Sequence, residues 1–320
     1  MKKKSLYWQV PLLLLLIAGT LFIAREQQSA PYQHHSGLIF GTVYNISYQS
    51  RTDLQREIED ALQQVDQEFS MFNENSTVAA INRGEQPQLS DMYKEVYELA
   101  QQVNHETEGA FDITVAPLVN AWGFGFKNEQ MPTAQQVDSL LKIRNQLDFS
   151  AIAKGYGSDV VARLLDSKDI KNYMIEIGGE VVTRGISPRR LPWTIGVVKP
   201  TDDSLSTEGE LQTVLNLTDR ALATSGNYRN FYYKGGRKYA HTIDPRTGYP
   251  VQHNILSASV ITDRCAVADA YATAFMVLGL DGTRQVLDRH PELQAYLIYT
   301  DAQGQLAVWF SPTLREAIAE

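Results

Sequence analysis

Cysteine is nearly absent from this chain, and acidic residues outnumber basic ones. Cys265 is the only cysteine among 320 residues, so no disulfide can form within the chain. It lies in an apolar stretch with helical spacing, which favours a small buried core residue. The 37 acidic and 29 basic residues give a net charge of −8, and this balance argues against a nucleic-acid partner.

The N-terminus carries an apolar run that follows a cluster of basic residues. Lysines at positions 2 to 4 precede the uncharged segment from Tyr7 to Ala24, which is the order of an export signal. The run is slightly shorter than the about 20 apolar residues of a membrane-spanning helix. We therefore predict a signal or signal-anchor segment in residues 1–25, with the lysines on the cytoplasmic side. Cleavage beyond Ala24 and retention as an anchor both agree with the sequence, and we favour retention.

A polar segment at residues 26–36 separates this run from the folded part. It has neither helical nor strand periodicity, so we predict a short linker there. No internal repeat and no second linker follow, and strand and helix patterns are interleaved over residues 37–320. This organisation predicts one α+β domain. The clearest patterns are a strand at 39–48, helices that begin after Asp53 and Ser90, a hairpin that turns at Gly235–Gly236, and a helix at Cys265–Leu278.

Two glycine-containing motifs are candidates for ligand contact. In Gly109–Thr114, followed by Trp122–Gly125, glycines and aromatic rings would let a flat ligand approach the backbone, although a packed turn gives the same pattern. In Leu147–Asp159 a short strand enters a helix start, where free amides and the charge of Lys154 favour phosphate oxygens. Asp148 lies just before the turn and suits a ribose or an adenine amine, or equally a helix cap.

Two further motifs combine glycine with polar side chains. Gly178–Gly179 interrupt a strand pattern, and either a closely approaching group or a β-bulge explains them. The last motif has three segments, Ala223–Arg229, His241–Pro250 and Ala268–Thr273. Asp-Pro-Arg-Thr-Gly in the second segment is a good turn sequence by itself, and His241 ahead of it is a candidate functional group.

Asp269 and Thr273 are four residues apart in a helical pattern and so face the same way. The surrounding stretch is apolar nearly all round, so we expect this helix to be buried, where an aspartate needs a partner or a metal. One carboxylate and one hydroxyl oxygen suit a hard cation such as Mg²⁺. An ordinary exposed helix surface is the alternative.

Taken together and in order, these motifs resemble the FAD:protein FMN transferases, known as the ApbE family and formerly described as thiamine-biosynthesis lipoproteins. The resemblance covers residues 38–311. The segments that carry it are Gly41–Tyr44, Gly109–Thr114, Trp122–Gly125, Ala153–Tyr156, Gly178–Glu180, Thr224–Tyr228, His241–Gly248, and Ala268–Asp269 with Thr273.

The resemblance implies an α+β fold of the T-fold-like ApbE type, with FAD as substrate and Mg²⁺ as cofactor. It implies transfer of FMN through a phosphoester to a threonine of a partner protein, with release of AMP. The implied acceptors are flavoprotein subunits of membrane electron-transport complexes, and the implied location is the periplasmic face of the bacterial inner membrane. The implied flavin and adenine contacts are Phe40, Phe72, Ala110, Phe111, Asp112, Asp148, Lys154 and Ile243. The implied metal ligands are the main-chain oxygen of Ala151 and the side chains of Asp269 and Thr273.

The sequence departs from the family pattern in three respects. Ala272 stands where some relatives carry a second carboxylate, which puts a two-ion site in doubt. Phe40 and Phe72 stand where relatives often carry methionine and tyrosine, which keeps stacking but loses one hydroxyl. The lipid-bearing cysteine of many relatives is missing, so anchoring would depend on the apolar N-terminus.

The implied reaction is in-line attack by the acceptor threonine hydroxyl on the FMN phosphorus. We predict His241 as the base or proton relay and Lys154 as the group that stabilises charge on the pyrophosphate. Linking a turn to the core is the alternative role for His241. Two other functions remain open: an FAD pyrophosphatase that uses water as acceptor, and a non-catalytic extracytoplasmic flavin-binding protein. A binding protein would not need Asp269 and Thr273.

Overall fold

The computed structural model describes residues 6–27, 30–124, 131–200, 211–227, 231–234 and 237–319. Its α-helices are α1 (Leu6–Gln27), α2 (Gln55–Phe69), α3 (Thr77–Asn82), α4 (Asp91–Glu106), α5 (Ala116–Ala121), α6 (Ala134–Leu140), α7 (Ala153–Ser167) and α8 (Cys265–Arg289). Its strands are β1 (Tyr32–Ile39), β2 (Thr42–Gln49), β3 (Tyr173–Ile177), β4 (Glu180–Arg184), β5 (Trp193–Val198), β6 (Leu211–Leu217), β7 (Arg220–Gly226), β8 (Phe231–Lys234), β9 (Arg237–Ala240), β10 (Ile255–Thr262), β11 (Gln294–Thr300) and β12 (Leu306–Phe310). A 3-10 helix, Pro312–Ala317, follows the last strand.

Eight of the strands form one antiparallel sheet in the order β1-β2-β3-β4-β7-β10-β11-β12. Helices α7 and α8 pack against its central strands and against each other, with α2 and α4 outside them. Phe149, Phe275 and Ile175 are among the fully buried side chains between these layers. Mixed helices around an antiparallel sheet confirm the predicted α+β class.

The opposite face of the sheet is covered by the β5–β6 hairpin and the 3-10 helix. Leu215 and Leu217 of β6 pack with Leu222, Ile261 and other apolar residues of the large sheet. The β8–β9 hairpin pairs Phe231 to Ala240 through Lys234 to Arg237. This confirms the predicted hairpin, whose turn at 235–236 lies outside the described residues.

Two predicted helix starts are also confirmed. The Asp53 carboxylate accepts a hydrogen bond from the Gln55 amide at 2.9 Å as α2 begins. The Ser90 hydroxyl caps α4 by accepting from the Tyr93 amide at 3.0 Å. Both helices bury an apolar stripe at helical spacing, which is why their sequences could be recognised.

The linker prediction for residues 26–36 is wrong in its second half, because β1 begins at Tyr32. This strand pairs with β2 from Tyr32 opposite Gln49 to Ile39 opposite Thr42. β1 has one neighbour and lies at the edge of the sheet, so most of its side chains are only partly buried. An edge strand of this kind needs few apolar residues and therefore leaves little pattern.

Two tight turns lie where the sequence predicted continuous or interrupted strands. The predicted strand at 39–48 is broken by the β1–β2 turn, where Phe40 has φ 53° and Gly41 has φ 74°. Gly178 (φ 66°) and Gly179 (φ 105°) form the β3–β4 turn instead of a bulge. Two-residue hairpin loops commonly need positive φ at both central positions, which accounts for the glycine pair.

Helix α8 is the central helix of the core. It continues past its predicted end at Leu278 to Arg289, with a break at Gly279 (φ 73°). Cys265 at its start is fully buried, as predicted. Its length and hydropathy would allow a membrane span, but 67% of that apolar window is buried inside the fold, so it is a core helix.

Helix α1 is separate from this core. It has 22 residues, or about 33 Å at the α-helical rise, which is close to the apolar thickness of a bilayer. Large apolar side chains from Val10 to Leu21 are exposed along it. The signal or signal-anchor assignment of residues 1–25 remains a prediction.

Candidate active site

One cavity of about 860 Å³ is lined by both tight turns, by the first turn of α7 and by Asp269, Thr273 and Val277 of α8. Its volume falls in the range of about 300–1,000 Å³ that is usual for small-molecule sites. All the residues predicted for the site line it: Phe40, Phe72, Ala110, Phe111, Asp112, Asp148, Ala151, Lys154, His241, Ile243, Asp269 and Thr273. The fold therefore brings these residues together, while their individual roles remain predictions.

Aromatic side chains form one part of the cavity wall. Phe111 is 2% exposed and fixed in the core, whereas Phe72 is 78% exposed. The Phe40 ring packs over Gly157 of α7, since a Cβ at that position would lie 2.7 Å from Phe40 Cε2. The wall thus combines two rings held by packing with one largely exposed ring, Phe72, whose face a flat ligand could stack on.

Close contact between α7 and α8 brings the charged residues together. A Cβ on Gly155 would lie 2.4 Å from the carbonyl oxygen of Cys265, so only glycine allows this approach. The Gly155 amide donates a hydrogen bond to Asp269 Oδ2 at 3.0 Å. Lys154, the residue immediately before Gly155, is thereby placed beside Asp269.

Lys154, Glu180 and Asp269 form a buried ionic cluster. Lys154 Nζ lies 3.3 Å from Glu180 Oε1 and 3.8 Å from Asp269 Oδ2. The two carboxylate side chains are only 4% and 3% exposed, and that of Lys154 is 27% exposed. Two acidic side chains thus share one ammonium group, so the cluster contains one more acidic group than basic groups.

The burial of this cluster perturbs all three groups. Burial raises the pKa of the Asp269 carboxyl, although Lys154 and the Gly155 amide oppose the shift. Burial likewise raises the pKa of Glu180 above its usual value, against the opposing charge of Lys154. Burial alone would lower the pKa of Lys154, but the charges of Asp269 and Glu180 outweigh it and the pKa lies above its usual value. Perturbed groups of this kind in a cavity are typical of functional sites.

Oxygen atoms near Asp269 complete a set of donors suited to a hard cation. Thr273 Oγ1 lies 3.1 Å from Ser225 Oγ of β7, and the residue Ala151 lines the same cavity. Glu180 Oε2 is buried, and the described residues offer it no hydrogen-bond partner. Those residues also contain no group of three or more His, Cys, Asp or Glu side chains able to hold a metal. The donors present fit Mg²⁺, which uses few carboxylates and otherwise takes neutral oxygens.

Asp159 fixes the start of α8 from the neighbouring helix. Its Oδ1 accepts from the Cys265 amide at 2.8 Å and its Oδ2 from the Ala266 amide at 3.0 Å. The residue before α8, Arg264, provides no side-chain cap. Asp159 therefore supplies from α7 the capping oxygens that α8 lacks locally.

The amides at the start of α7 are used differently from the prediction. The Ala153 amide donates to Phe149 O at 2.8 Å, and the Gly155 amide donates to Asp269. The predicted free amides for phosphate are therefore largely occupied within the protein. Asp148 does not cap α7: its carboxylate accepts from the Ser150 amide at 2.8 Å, and the N-cap position is Ile152.

Asp112, which follows Phe111, is held in place by hydrogen bonds and an ion pair. Its Oδ1 accepts from the Thr114 amide at 2.8 Å and from the Thr114 hydroxyl at 2.7 Å. Arg144 pairs with its other carboxylate oxygen. These contacts fix the side chain, which is 15% exposed and remains on the cavity surface.

His241 begins a loop that is held rigidly against the core. The Thr242 hydroxyl donates to Asn227 Oδ1 at 2.6 Å, and the Trp122 indole donates to Gly248 O at 2.8 Å. The His241 ring meets Phe124 edge to face at 6.4 Å between centroids. His241 is thus positioned on the cavity wall, which is compatible with either predicted role.

Three residues of the site received no role from the sequence. Glu180 belongs to the motif Gly178–Glu180 and Ser225 to the motif Thr224–Tyr228. Their place in these motifs was the signal that the sequence offered. Asp159 ends a third motif, but its partners lie 106 and 107 positions away in the chain. Only the folded arrangement of α7 and α8 reveals its role.

The fold is that of the ApbE family, and the chain belongs to this family. The family model matches residues 40–297. The predicted family and fold type are thereby confirmed.

Curated relatives agree over nearly the whole chain. The chain is 35% identical over 318 residues to the FAD:protein FMN transferase of Vibrio cholerae, covering 90% of this chain and 94% of the relative. It is 30% identical over 340 residues to the Escherichia coli protein of the same name, covering 94% and 95%.

Solved structures give the same result. The flavin transferase ApbE from Vibrio cholerae superposes with a TM-score of 0.80 at 32% identity, covering 90% of this chain and 99% of that one. The ApbE protein of Thermotoga maritima superposes with a TM-score of 0.76 at 27% identity, covering 91% and 100%.

Proposed function

We propose that this chain is an FAD:protein FMN transferase, which binds FAD in the cavity and moves its FMN half to another protein. The observation that carries the proposal is one cavity of about 860 Å³ that joins an aromatic wall to the buried cluster of Lys154, Glu180 and Asp269. Relatives named FAD:protein FMN transferase and the similar flavin transferase structures confirm the prediction of a flavin-transferring enzyme. They do not favour the hydrolase or the non-catalytic binder.

Mg²⁺ is the proposed cofactor. The carboxylate of Asp269, the hydroxyl of Thr273 and the main-chain oxygen of Ala151 would hold it, because all three residues line the cavity and carry oxygen donors of the kind that Mg²⁺ prefers. When bound, the ion would neutralise charge on the pyrophosphate oxygens of FAD. Ala272 is fully buried in the core, so α8 supplies one carboxylate to such a site.

The proposed step is attack by an acceptor threonine hydroxyl on the FMN phosphorus of FAD. A new phosphorus–oxygen bond forms to the threonine, the bond to the AMP oxygen breaks, and AMP leaves. Lys154 faces the pyrophosphate with an ammonium group whose raised pKa keeps it protonated. The threonine proton passes to His241, which lines the same cavity.

The role of His241 can be tested directly. His241→Ala is expected to keep FAD binding and to lose most of the transfer rate, about 100-fold or more, since the variant lacks the proton acceptor. His34→Ala is the control, because His34 is exposed on β1. If His241→Ala transfers FMN at the rate of the unmodified chain, the catalytic role is excluded and the structural one remains.

The proposed acceptors are flavoprotein subunits of membrane electron-transport complexes, and the proposed location is the periplasmic face of the inner membrane. The lysines at positions 2 to 4, followed by the 22-residue helix α1, support this orientation. Fractionation of cells that express the full chain tests it. The chain should pellet with membranes and be cut by protease added to the periplasm; recovery in the soluble cytoplasm would contradict the proposal.

The activity is tested with the purified full chain in detergent, FAD, MgCl₂ and a candidate acceptor domain. The mass of the acceptor and the release of AMP are followed together. A mass gain equal to FMN, abolished by chelator and by Asp269→Ala, is expected. Asp281→Ala is the matched control, because Asp281 lies on the same helix with its side chain 93% exposed.

Each of the other outcomes indicates a different function for this protein. AMP release without a change in acceptor mass would show an FAD pyrophosphatase. FAD binding without either product, for several acceptors, would leave a flavin-binding protein. Transfer that survives both the chelator and Asp269→Ala would reject the metal site while retaining the transferase.

A further inference from the structure

Glu180 is a buried charged residue to which the proposed reaction assigns no role. It is the first residue of β4 and only 3% exposed. Its Oε1 lies 3.3 Å from Lys154 Nζ, while Oε2 is buried and finds no hydrogen-bond partner among the described residues. A buried carboxylate with one unsatisfied oxygen is unfavourable, so the fold tolerates a cost at this position.

The backbone holds Glu180 in place. A Cβ on Gly178 would lie 2.8 Å from Thr42 Cγ2, so the β3–β4 turn is packed tightly against β2. Ser158 of α7 donates its hydroxyl to the Glu180 carbonyl at 3.3 Å. The Glu180 side chain therefore reaches the cavity from a fixed point on the sheet.

Lys154 lies between two carboxylates that it contacts unequally. Its Nζ is within hydrogen-bond distance of Glu180 but 3.8 Å from Asp269, too far for a hydrogen bond. Asp269 Oδ2 already accepts from the Gly155 amide. If the ammonium moved onto Asp269, it would neutralise the charge that a cation needs there.

We propose that Glu180 is a positioning residue that holds Lys154 away from Asp269 and so keeps the Asp269 carboxylate available to a divalent cation. The inference rests on the proposed function in one respect, since it takes Asp269 as a cation ligand. Glu180 acts through Lys154 and does not itself bind the cation. It also keeps the ammonium fixed on the side of the cavity nearest the sheet.

The test measures Mn²⁺ binding by the full chain in the absence of FAD, from the EPR signal of free Mn²⁺ at fixed pH. Glu180→Gln should weaken binding about tenfold, within the range of coupling between neighbouring charged groups. Glu176→Gln, a control on the adjacent strand that pairs with Asn45 outside the cavity, should leave binding unchanged. In a Lys154→Met background, where no ammonium competes, adding Glu180→Gln should change binding by less than about twofold.

Four outcomes would overturn the proposal. Equal weakening by Glu180→Gln in both backgrounds would make Glu180 a direct ligand. Unchanged binding by Glu180→Gln would remove any role in cation binding. Thermal unfolding checks each variant, and where Glu180→Gln fails to fold, Glu180→Asp, which withdraws the carboxylate by one methylene, should weaken Mn²⁺ binding in the same direction; unchanged binding would again contradict the proposal. If Asp269→Asn does not reduce Mn²⁺ binding, the metal part of the proposed function fails together with this inference, whereas loss on Asp269→Asn alone rejects only the role of Glu180.

Discussion

At the scale of single residues, the cavity depends on how closely α7 approaches α8. Gly155 stands at the crossing, and any added carbon would meet the Cys265 carbonyl oxygen at 2.4 Å. Backbone atoms cannot rotate away as a flexible side chain can. The distance between Lys154 and Asp269 is therefore set by the absence of a side chain at the next position.

Gly155→Ala is expected to lower the free energy of unfolding by about 1–3 kcal/mol, as overpacking usually does, and to reduce transfer activity by separating Lys154 from Asp269. Urea denaturation and the FMN transfer assay measure the two effects. Ser167→Ala, at the exposed end of α7, is the control and should change neither. An unchanged unfolding midpoint for Gly155→Ala would mean that the helices separate without cost.

Phe72 provides the opposite case, since 78% of its surface is exposed at the cavity. Phe72→Ala should weaken FAD binding about tenfold, because stacking on an aromatic ring typically contributes about 1–3 kcal/mol per base. The unfolding midpoint should stay the same, as the ring contributes little to the core. Fluorescence titration with FAD measures the affinity.

Two controls accompany Phe72→Ala. Leu191→Ala removes an exposed apolar side chain outside the cavity lining and should leave FAD affinity unchanged. Phe72→Tyr retains an aromatic ring and should bind FAD as tightly as the unmodified chain. Equal FAD affinity in Phe72→Ala and the unmodified chain would remove Phe72 from the flavin contacts.

At the scale of elements, α8 is positioned by a carboxylate from another helix. Asp159 of α7 accepts hydrogen bonds from the Cys265 and Ala266 amides, which begin α8. Asp269 follows Cys265 by four residues on α8, so the same contacts help to place it. Burial raises the pKa of Asp159, although those two amides oppose the shift. The registration of α8 against α7 thus depends on contacts that are distant in sequence.

Asp159→Ala is expected to destabilise the protein by about 1–3 kcal/mol, since it leaves two buried amides without acceptors. Hydrogen exchange should increase at Cys265 and Ala266 before it increases in the rest of α8. Asp138→Ala, an exposed position on α6, is the control. If exchange at the start of α8 stays slow in Asp159→Ala, another group caps the helix.

The sequence predicted those elements of the fold that depend on local contacts, and missed those that depend on contacts between distant parts of the chain. α2 and α4 were predictable because Asp53 and Ser90 accept hydrogen bonds from amides at the two helix starts and the apolar stripes repeat at helical spacing. β1 was not, because an edge strand buries few of its side chains. The pair Gly178–Gly179 was noticed, but its turn depends on the pairing of β3 with β4, which a single strand pattern does not show.

The site divides in a similar way. The family motifs predicted the residues that line the cavity, because those motifs stand at fixed places along the chain. The ionic partnership of Lys154 with Glu180 was not predicted, since it joins α7 to the start of β4 across the cavity. Contacts of this kind follow from tertiary packing and leave no periodic signal.

At the scale of the whole molecule, an eight-stranded sheet begins at its edge with β1, directly after the apolar helix α1. Tyr32 donates its hydroxyl to Ile186 O at 2.6 Å and meets Trp193 edge to face at 6.1 Å. His35 Nε2 lies 3.0 Å from Tyr48 Oη and 3.2 Å from Asp53. The boundary of the folded part therefore lies before Tyr32, a few residues earlier than the sequence predicted.

Two truncations test this boundary. The chain that lacks residues 1–29 should be soluble and keep the unfolding midpoint and FMN transfer of the full chain, because it retains all of β1. The chain that lacks residues 1–36 should unfold at a lower temperature, since it loses the contacts of Tyr32 and His35 and most of the pairing with β2. Its FAD affinity should fall as well, because Phe40 follows the shortened strand directly and depends on the β1–β2 turn for its position. Equal stability of the two truncations would mean that β1 contributes nothing to the fold, and would restore the boundary at residue 37.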